Sequence, residues 1–276
     1  MSKVNKLKDN NISIKTIGFI GTAQIGGSLA RLSVKAGFNV VLSNTRDPKR
    51  LDPFIKELGP LASAATIAEA IAAADLVVAA IPFPVYKSLP ADLLAGKIVI
   101  ETLNYYPLCG FNIQALDENK FTSSELVQQH LIESDVVKAF HNIGYPHISL
   151  HARPAGDPER TTVPIAGDDD DAKVLVEQFI NAIGYDTVDA GSLAESWRIE
   201  PGTPIYYWPY APPVPEGISE DEARELYLTQ KVEPLRPEGA LALIAETERQ
   251  FPVGGRLDIL PPIHLTINGE YANNRY

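Results

Sequence analysis

The sequence predicts an α/β protein with a doubly wound parallel sheet and a proline-rich C-terminal extension. Three observations lead to this prediction. Short apolar runs alternate along the chain with segments whose apolar residues have helical spacing. A glycine-containing turn joins the first apolar run to the first helical segment. Eleven of the 22 prolines follow residue 200, where the alternation stops. We therefore expect one domain over residues 12–190 and an extension over residues 191–276.

The composition favours a soluble, globular protein with one large domain or one domain plus a smaller extension. The chain has 276 residues, 45% of them hydrophobic, and a formal net charge of −11. An acidic chain binds nucleic acid and anionic membranes poorly, so we expect neither partner. Cys109 is the only cysteine, which excludes an internal disulfide and a cysteine-rich metal site. Because the first ten residues are polar, we predict no signal peptide and expect a cytoplasmic location.

The stretch from Ile14 to Arg46 predicts one strand, helix, strand unit. An apolar run over residues 14–20 ends at Gly21, and apolar residues at helical spacing follow. Gly37 ends the helical pattern, and residues 40–42 form a second apolar run. The period thus changes from strand to helix across a tight turn, which is the context that a dinucleotide-binding glycine loop requires.

The glycine loop itself has a physical explanation. Gly21 allows a sharp turn out of the strand, and Gly26 allows the helix to pack close to the sheet. The N–H groups at the helix start then face a pyrophosphate. Ala23 stands where such loops carry a middle glycine. The alternative is an ordinary helix start with two turn glycines. We favour a dinucleotide site, and its predicted loop residues are Gly21, Thr22, Ala23, Gln24, Ile25 and Gly26.

The end of the second strand indicates which dinucleotide binds. An NAD-binding chain carries a carboxylate there, whereas this chain has hydroxyl, amide and cationic side chains that suit a 2′-phosphate. These residues are Ser43, Asn44, Thr45, Arg46 and Lys49. Asp47 precedes Pro48 and is interpreted as the N-cap of the next helix. We therefore predict NADP(H).

Three later apolar runs, over residues 76–81, 97–101 and 136–140, predict further strands of the same sheet. Ligands of an open parallel sheet bind at the carboxyl ends of its strands. The segments expected to meet at that edge are residues 22–25, 43–46, 81–84, 102–106 and 139–143.

Beyond residue 140 the pattern is less regular. We expect a loop over residues 145–160, a strand over 162–166, a helix over 172–183 and a short strand over 187–190. The acidic run from Asp168 to Asp171 suggests a metal site, but capping explains it better, with Asp168 as the N-cap. His147 and His151 have the spacing of metal ligands on a helix, but nearby prolines argue against that helix. We therefore predict no metal site.

The extension predicts helices over residues 219–231 and 238–250 and a strand over residues 257–267. Its first part is rich in proline and carries four large aromatic residues, Tyr206, Tyr207, Trp208 and Tyr210. Side chains of this size are expected to lie across an apolar surface, either the cleft or a partner subunit. A structural wrap without a role at the site is the favoured alternative.

Six segments in fixed order carry a resemblance to a known family. They read IGFIGTAQIGGSLA, VVLSNTRDP, AAIPFP, VVKAFHNI, VPIAGDDDDAK and VDAGSLAESWRIE. They resemble the NADP oxidoreductases that depend on coenzyme F420, to which the cytoplasmic domain of the STEAP metalloreductases is similar. The resemblance spans about Ile14 to Glu200. It implies a Rossmann-like fold and NADP binding by the glycine loop, Asn44 and Thr45. It further implies that Ile81, Pro82 and Phe83 flank the nucleotide and that Leu103 and the backbone of Ala139 lie near the nicotinamide. Asn104 is a further predicted cofactor-binding residue.

We therefore expect an NADPH-dependent oxidoreductase that transfers a hydride between NADP(H) and a flat redox partner such as the deazaflavin F420 or a flavin. The alternative is an NADP(H)-binding redox sensor without turnover. His141 is the candidate catalytic residue, because it follows a predicted strand at the cleft and can exchange a proton there. Its alternative is a polar strand-end residue bonded to its neighbours. The sequence leaves a homodimer open.

Overall fold

The computed structural model describes residues 14–45, 47–107, 112–249, 254 and 260–273, with side chains of the last helix described to residue 267. Eight strands form one sheet. They are β1 (Thr16–Ile20), β2 (Asn39–Ser43), β3 (Ala62–Ala64), β4 (Leu76–Ala79), β5 (Ile98–Glu101), β6 (Asp135–Lys138), β7 (Thr162–Gly167) and β8 (Asp186–Asp189).

Helices cover the sheet and build the extension. They are α1 (Gln24–Lys35), α2 (Asp52–Leu58), α3 (Ile67–Ala73), α4 (Ala91–Leu94), α5 (Gln114–Asp117), α6 (Ser123–His130), α7 (Tyr145–His151), α8 (Asp170–Ile183), α9 (Glu220–Thr229), α10 (Pro237–Ala245) and α11 (Pro262–Asn273). Short 3₁₀ turns span Pro48–Leu51, Phe83–Ser88, Leu193–Ile199 and Trp208–Tyr210.

The strand order is β3-β2-β1-β4-β5-β6-β7-β8. The first six strands pair in parallel, so their carboxyl ends lie at one edge of the sheet. β7 is antiparallel to β6, and β8 is parallel to β7. This confirms the predicted doubly wound α/β fold. All four residues of β4 are buried, as expected of an apolar strand covered by helices on both faces.

Two predictions of secondary structure are wrong. The segment from Tyr145 begins with helix α7 rather than a loop, because Pro146 lies in its first turn, where proline needs no hydrogen-bonding partner. The predicted strand over residues 257–267 is contradicted in its described part, where α11 begins at Pro262. In α11 Ile263 and Ile267 are buried four residues apart, which is helical spacing.

The cap of α8 also differs from the prediction. Asp169, not Asp168, is the N-cap, since its carboxylate accepts a hydrogen bond from the Ala172 N–H at 2.7 Å. Asp168 instead accepts from the Leu193 N–H at 2.8 Å and thereby ties the start of the extension to β7. The acidic run therefore has structural roles, as expected, but its members are shifted by one position.

The extension packs on the sheet domain through an apolar cluster in which Ala240 and Ile244 of α10 contact Val188 of β8. A second apolar cluster lies within the extension, where Tyr207 packs with Tyr227 of α9 and with residues of α11. Among the described helices none is both long and apolar enough to cross a membrane.

Candidate functional site

The glycine loop closes tightly on β4. Gly21 has φ +96°, in the left-handed region, and a Cβ there would lie less than 3.0 Å from the Ala80 carbonyl oxygen. A Cβ at Gly26 would approach the Gly21 carbonyl just as closely. The Gly21 N–H donates to the Ser43 carbonyl at 3.0 Å and so joins the loop to the end of β2. Both glycines are thus required by backbone contacts, as the sequence predicted.

The amino end of α1 has no capping side chain. Its N-cap residue is Ala23, and its first turn carries no acidic residue. By contrast, α3, α6 and α9 each begin with a capping box. The N-cap residue thus offers no side-chain acceptor to the first turn of α1, and the helix dipole there favours an anion such as a pyrophosphate.

A cavity of about 470 Å³ lies beside this loop. Its lining includes the predicted residues Gly21, Thr22, Ala23, Asn44, Thr45, Ile81 and Pro82. Ser43 does not line it: the residue is fully buried and its hydroxyl donates to the Phe19 carbonyl at 2.7 Å. Lys49 is exposed and lies outside the lining, and Arg46 lies outside the described residues. Binding by these three side chains stays a prediction.

A second cavity, of about 520 Å³, continues from the first, and Ile81 and Pro82 line both. The predicted residues in its lining are Gln24, Ile25, Ile81, Pro82, Phe83, Leu103, Asn104 and His141. Ala139 does not line it, and its N–H donates to the Glu101 carbonyl at 3.1 Å. The other wall comes from the extension and consists of Tyr206, Tyr207, Leu260 and Leu265. A structural wrap away from the site was favoured from the sequence, whereas the structure places these residues of the extension in the cavity wall.

A buried ion pair, which the sequence analysis missed, supports the floor of the second cavity. The Lys138 Nζ lies 2.9 Å from Glu101 Oε1, and both side chains are almost fully buried. The same ammonium donates to the Leu103 carbonyl at 3.0 Å, while the Leu103 N–H donates to Glu101 Oε2 at 2.9 Å. The pair thus fixes the Leu103 backbone from both sides. Its sequence signal was a pair of opposite charges ending two adjacent strands, since Glu101 and Lys138 are register partners.

His141 is buried at the same edge. Its Nε2 donates to the Ile199 carbonyl of the extension at 2.6 Å, and its Nδ1 has no hydrogen-bond partner among the described residues. Burial, and then the Lys138 ammonium, hold the pKa of His141 well below 6.5. The imidazole is therefore neutral near pH 7. Its proton is on Nε2, so Nδ1 can accept a proton but has none to donate. A catalytic role for His141 stays a prediction.

Tyrosines from the sheet domain and the extension meet over the cavity. The Tyr106 and Tyr206 hydroxyls share a short hydrogen bond. The Asn104 side-chain amide donates to the Tyr206 hydroxyl at 3.3 Å and to the His141 carbonyl at 2.7 Å. Burial, and then Tyr106, raise the pKa of Tyr206 well above 10. Tyr206 is therefore a neutral hydroxyl in the cavity wall.

The glycine loop lies at the edge where six parallel strands end, and a second cavity lies next to the cavity at this loop. This is the arrangement of NAD(P)-dependent oxidoreductases. Residues 16–105 match the family described as NADP oxidoreductase, coenzyme F420-dependent. The resemblance to this family that was drawn from the sequence is thereby confirmed over these residues.

Individual relatives agree with this assignment. Metalloreductase STEAP3 of Rattus norvegicus is 32% identical over 187 residues, which are 67% of this chain and 35% of that protein, so the chain spans about a third of that relative. A hypothetical protein from Sinorhizobium meliloti is 26% identical with a TM-score of 0.59 over 67% of this chain and 88% of that one. A protein from Arthrobacter sp. FB24, assigned as an F420-dependent NADP reductase, is 25% identical with a TM-score of 0.55 over 67% and 87%.

Proposed function

We propose that the chain is an NADPH-dependent oxidoreductase that transfers a hydride between NADP(H) and a flat acceptor in the second cavity. One observation carries the proposal: Ile81 and Pro82 line both cavities, so ligands bound in the two cavities would both contact this segment. The first cavity fits the phosphate-bearing half of a dinucleotide, because it contains the uncapped start of α1 and a loop too tight for any side chain at Gly21.

The residues of the chain orient the reactants and exclude water. NADPH, when bound, supplies the hydride. Leu103 and Ile25 offer an apolar floor to the nicotinamide end, and the Leu103 backbone is held by the buried pair of Glu101 and Lys138. The tyrosines of the extension cover the other side. Hydride transfer between two stacked rings depends mainly on their distance and alignment, which a rigid floor and a roof supply.

The class of acceptor is inferred from the descriptions of the relatives and from the walls of the second cavity. The family and the Arthrobacter relative are described as dependent on coenzyme F420, which favours a deazaflavin. The rat relative is described as a metalloreductase, which brings ferric chelates into consideration. The apolar and aromatic walls of the second cavity favour a flat ring over a hydrated ion, so we propose a deazaflavin or a flavin.

The experiment is an acceptor panel. The protein and NADPH are mixed with a deazaflavin, a flavin, a quinone and a ferric chelate. Oxidation of NADPH is followed as the loss of the absorbance of reduced nicotinamide. Turnover with a ring acceptor supports the proposal. Tight NADPH binding without turnover on any acceptor would overturn it and favour the redox sensor.

Two matched variants locate the two ligands. Tyr206→Phe removes one hydroxyl from the second cavity and should raise the acceptor KM by about 2- to 10-fold, the effect of one hydrogen bond, without changing the Kd of NADPH. Thr45→Val removes one hydroxyl from the first cavity and should raise the Kd of NADPH without changing the acceptor KM. Equal effects of both variants on both ligands would contradict the division of the site.

A further inference from the structure

The histidines of the chain are concentrated where the extension meets the sheet domain. The chain has five histidines, and three of them use Nε2 on a main-chain carbonyl of the extension. The pairs are His141 with Ile199 at 2.6 Å, His147 with Tyr227 at 2.9 Å and His151 with Tyr210 at 2.9 Å. Because a carbonyl only accepts, each Nε2 carries the proton and each histidine donates to the extension.

The contact requires neutral imidazoles. The Nδ1 atoms of His141 and His147 are buried and have no partner among the described residues, so a second proton there would be a buried donor without an acceptor. A fourth histidine, His264 of α11, lies in the same cluster. Its Nδ1 is 3.0 Å from the Tyr207 hydroxyl, and its ring stacks on Tyr227 with centroids 4.1 Å apart.

The charges around the cluster also oppose protonation. His147 stacks on His151, and the ring of Tyr227 contacts both His147 and His264. Arg153 and Lys231 face His151, and Lys138 faces His141. Two carboxylates, Glu159 and Glu233, line a cavity together with His151. Glu159 is paired with Arg153 at 3.3 Å and Lys231 at 3.5 Å.

The pKa values of the histidines follow this geometry. Burial first, and then the neighbouring histidines, lower the pKa of His147 from 6.5 to about 4, although its bond to Tyr227 opposes the shift. Burial lowers the pKa of His264 to about 4 as well. Burial first, and then Arg153 and Lys231, also lower the pKa of His151.

We propose that His141, His147 and His151 are positioning residues that form a strap holding the extension over the second cavity, and that proton uptake by His147 and His151 releases it. Tyr206 and Tyr207, which roof the cavity, lie in the segment between the strapped carbonyls of Ile199 and Tyr210. Loss of the strap therefore opens the cavity while leaving the glycine loop in place. The consequence for turnover rests on the proposed function, whereas the release itself does not.

The sign and size of the effect follow from proton linkage. A histidine with a lower pKa in the docked state stabilises docking fully above pH 6.5, and this contribution is lost as the pH falls from 6.5 toward 4. With the values 6.5 released and about 4 docked for His147, the equilibrium constant for release rises about 30-fold between pH 8 and pH 5. Protonation of His264 raises the equilibrium constant for release by a similar factor if its surroundings also open.

The test is hydrogen exchange followed by mass spectrometry on the full chain at pH 8, 6 and 5, with rates corrected for the intrinsic effect of pH. Peptides of α9 and of residues 200–212 should exchange at least 30-fold faster at pH 5, while peptides of β1, β4 and β5 stay protected. Equal loss of protection in the sheet and in the extension, or no change in the extension, would overturn the proposal.

Variants distinguish protonation of the strap histidines from a general destabilisation of the fold by acid. In the double variant His147→Gln with His151→Gln, each amide can donate at the position of Nε2 but takes up no proton, so the acid-induced increase should shrink at least tenfold. The control is His130→Gln, because His130 bonds to the Leu89 carbonyl away from the extension, and it should behave as the wild type. If the double variant does not fold, the wild-type comparison of sheet and extension peptides decides.

A second measurement keeps this proposal distinct from the proposed function. In the wild type, the acceptor KM should rise as the pH falls from 7 to 5, while the Kd of NADPH changes less than twofold. Release of the extension without turnover on any acceptor would refute the proposed function alone. Turnover without release would refute the strap alone.

Discussion

Three glycines allow the close approach at the coenzyme loop to be separated from backbone strain. Gly21 combines a positive φ with a Cβ position less than 3.0 Å from the Ala80 carbonyl. Gly26 has the close contact, with the Gly21 carbonyl, but not the positive φ. Gly37 has φ +90°, and a Cβ there would meet nothing within 4 Å. Gly21→Ala therefore tests contact and strain together, Gly26→Ala tests contact alone, and Gly37→Ala tests strain alone.

The expected costs follow from these geometries. A left-handed conformation costs an alanine about 1–2 kcal/mol, which applies to Gly21→Ala and Gly37→Ala. A new methyl group against a backbone carbonyl forces a shift that costs about 1–3 kcal/mol, which applies to Gly21→Ala and Gly26→Ala. We expect Gly21→Ala to lose about 2–5 kcal/mol of stability. Because the shift lies in the loop that faces the coenzyme, Gly21→Ala and Gly26→Ala should weaken NADPH binding at least tenfold, about 1.4 kcal/mol.

The assay combines urea unfolding with calorimetric titration of NADPH. Gly37→Ala should lose stability and keep its NADPH affinity, since it lies at the far end of α1. A folded Gly21→Ala protein that binds NADPH normally would refute the assignment of this loop to the coenzyme. If Gly37→Ala weakened NADPH binding as much as Gly26→Ala, backbone strain and not close contact would control binding.

Two further predictions concern the coenzyme and the cavity floor. NADPH should bind at least tenfold more tightly than NADH, and Arg46→Ala should remove most of that difference; equal Kd values in the wild type by calorimetry would contradict the assignment. Lys138→Met should cost about 3–5 kcal/mol in urea unfolding, because it leaves the Glu101 carboxylate buried and unpaired. The double variant with Glu101→Leu should recover most of that loss, and no recovery would show that packing rather than charge explains the cost.

The sheet domain was predictable because its signals are local. Buried strands such as β4 are continuous apolar runs, and Gly21 marks the first turn out of the sheet. β3 was missed because Ala62–Ala64 has no strand-forming side chains and is a strand only by pairing with β2. α7 was missed because a proline near a helix start reads as a breaker unless its exact position is known.

The candidate site was predictable on the coenzyme side and not on the acceptor side. The loop from Gly21 to Gly26 is contiguous in sequence, so its geometry follows from residue types alone. The contact between Tyr106 and Tyr206 joins residues 100 positions apart, and no local pattern brings them together. Glu101 and Lys138 lie closer in sequence, 37 positions apart, but their pairing depends on the strand register. The burial of Ser43 was not predictable, because the direction of a strand-end side chain depends on the pleat.

The division of the second cavity between two parts of the chain matters for protein engineering. Its floor lies on the loops after β5 and β6, whereas Tyr206 and Leu265 come from a segment outside residues 16–105 that match the family. Grafting or redesigning that segment would alter the shape of the second cavity without changing the glycine loop. If the second cavity takes the acceptor, as we propose, acceptor preference and coenzyme preference are separate design targets, and libraries confined to residues 201–212 would sample the first without disturbing the second.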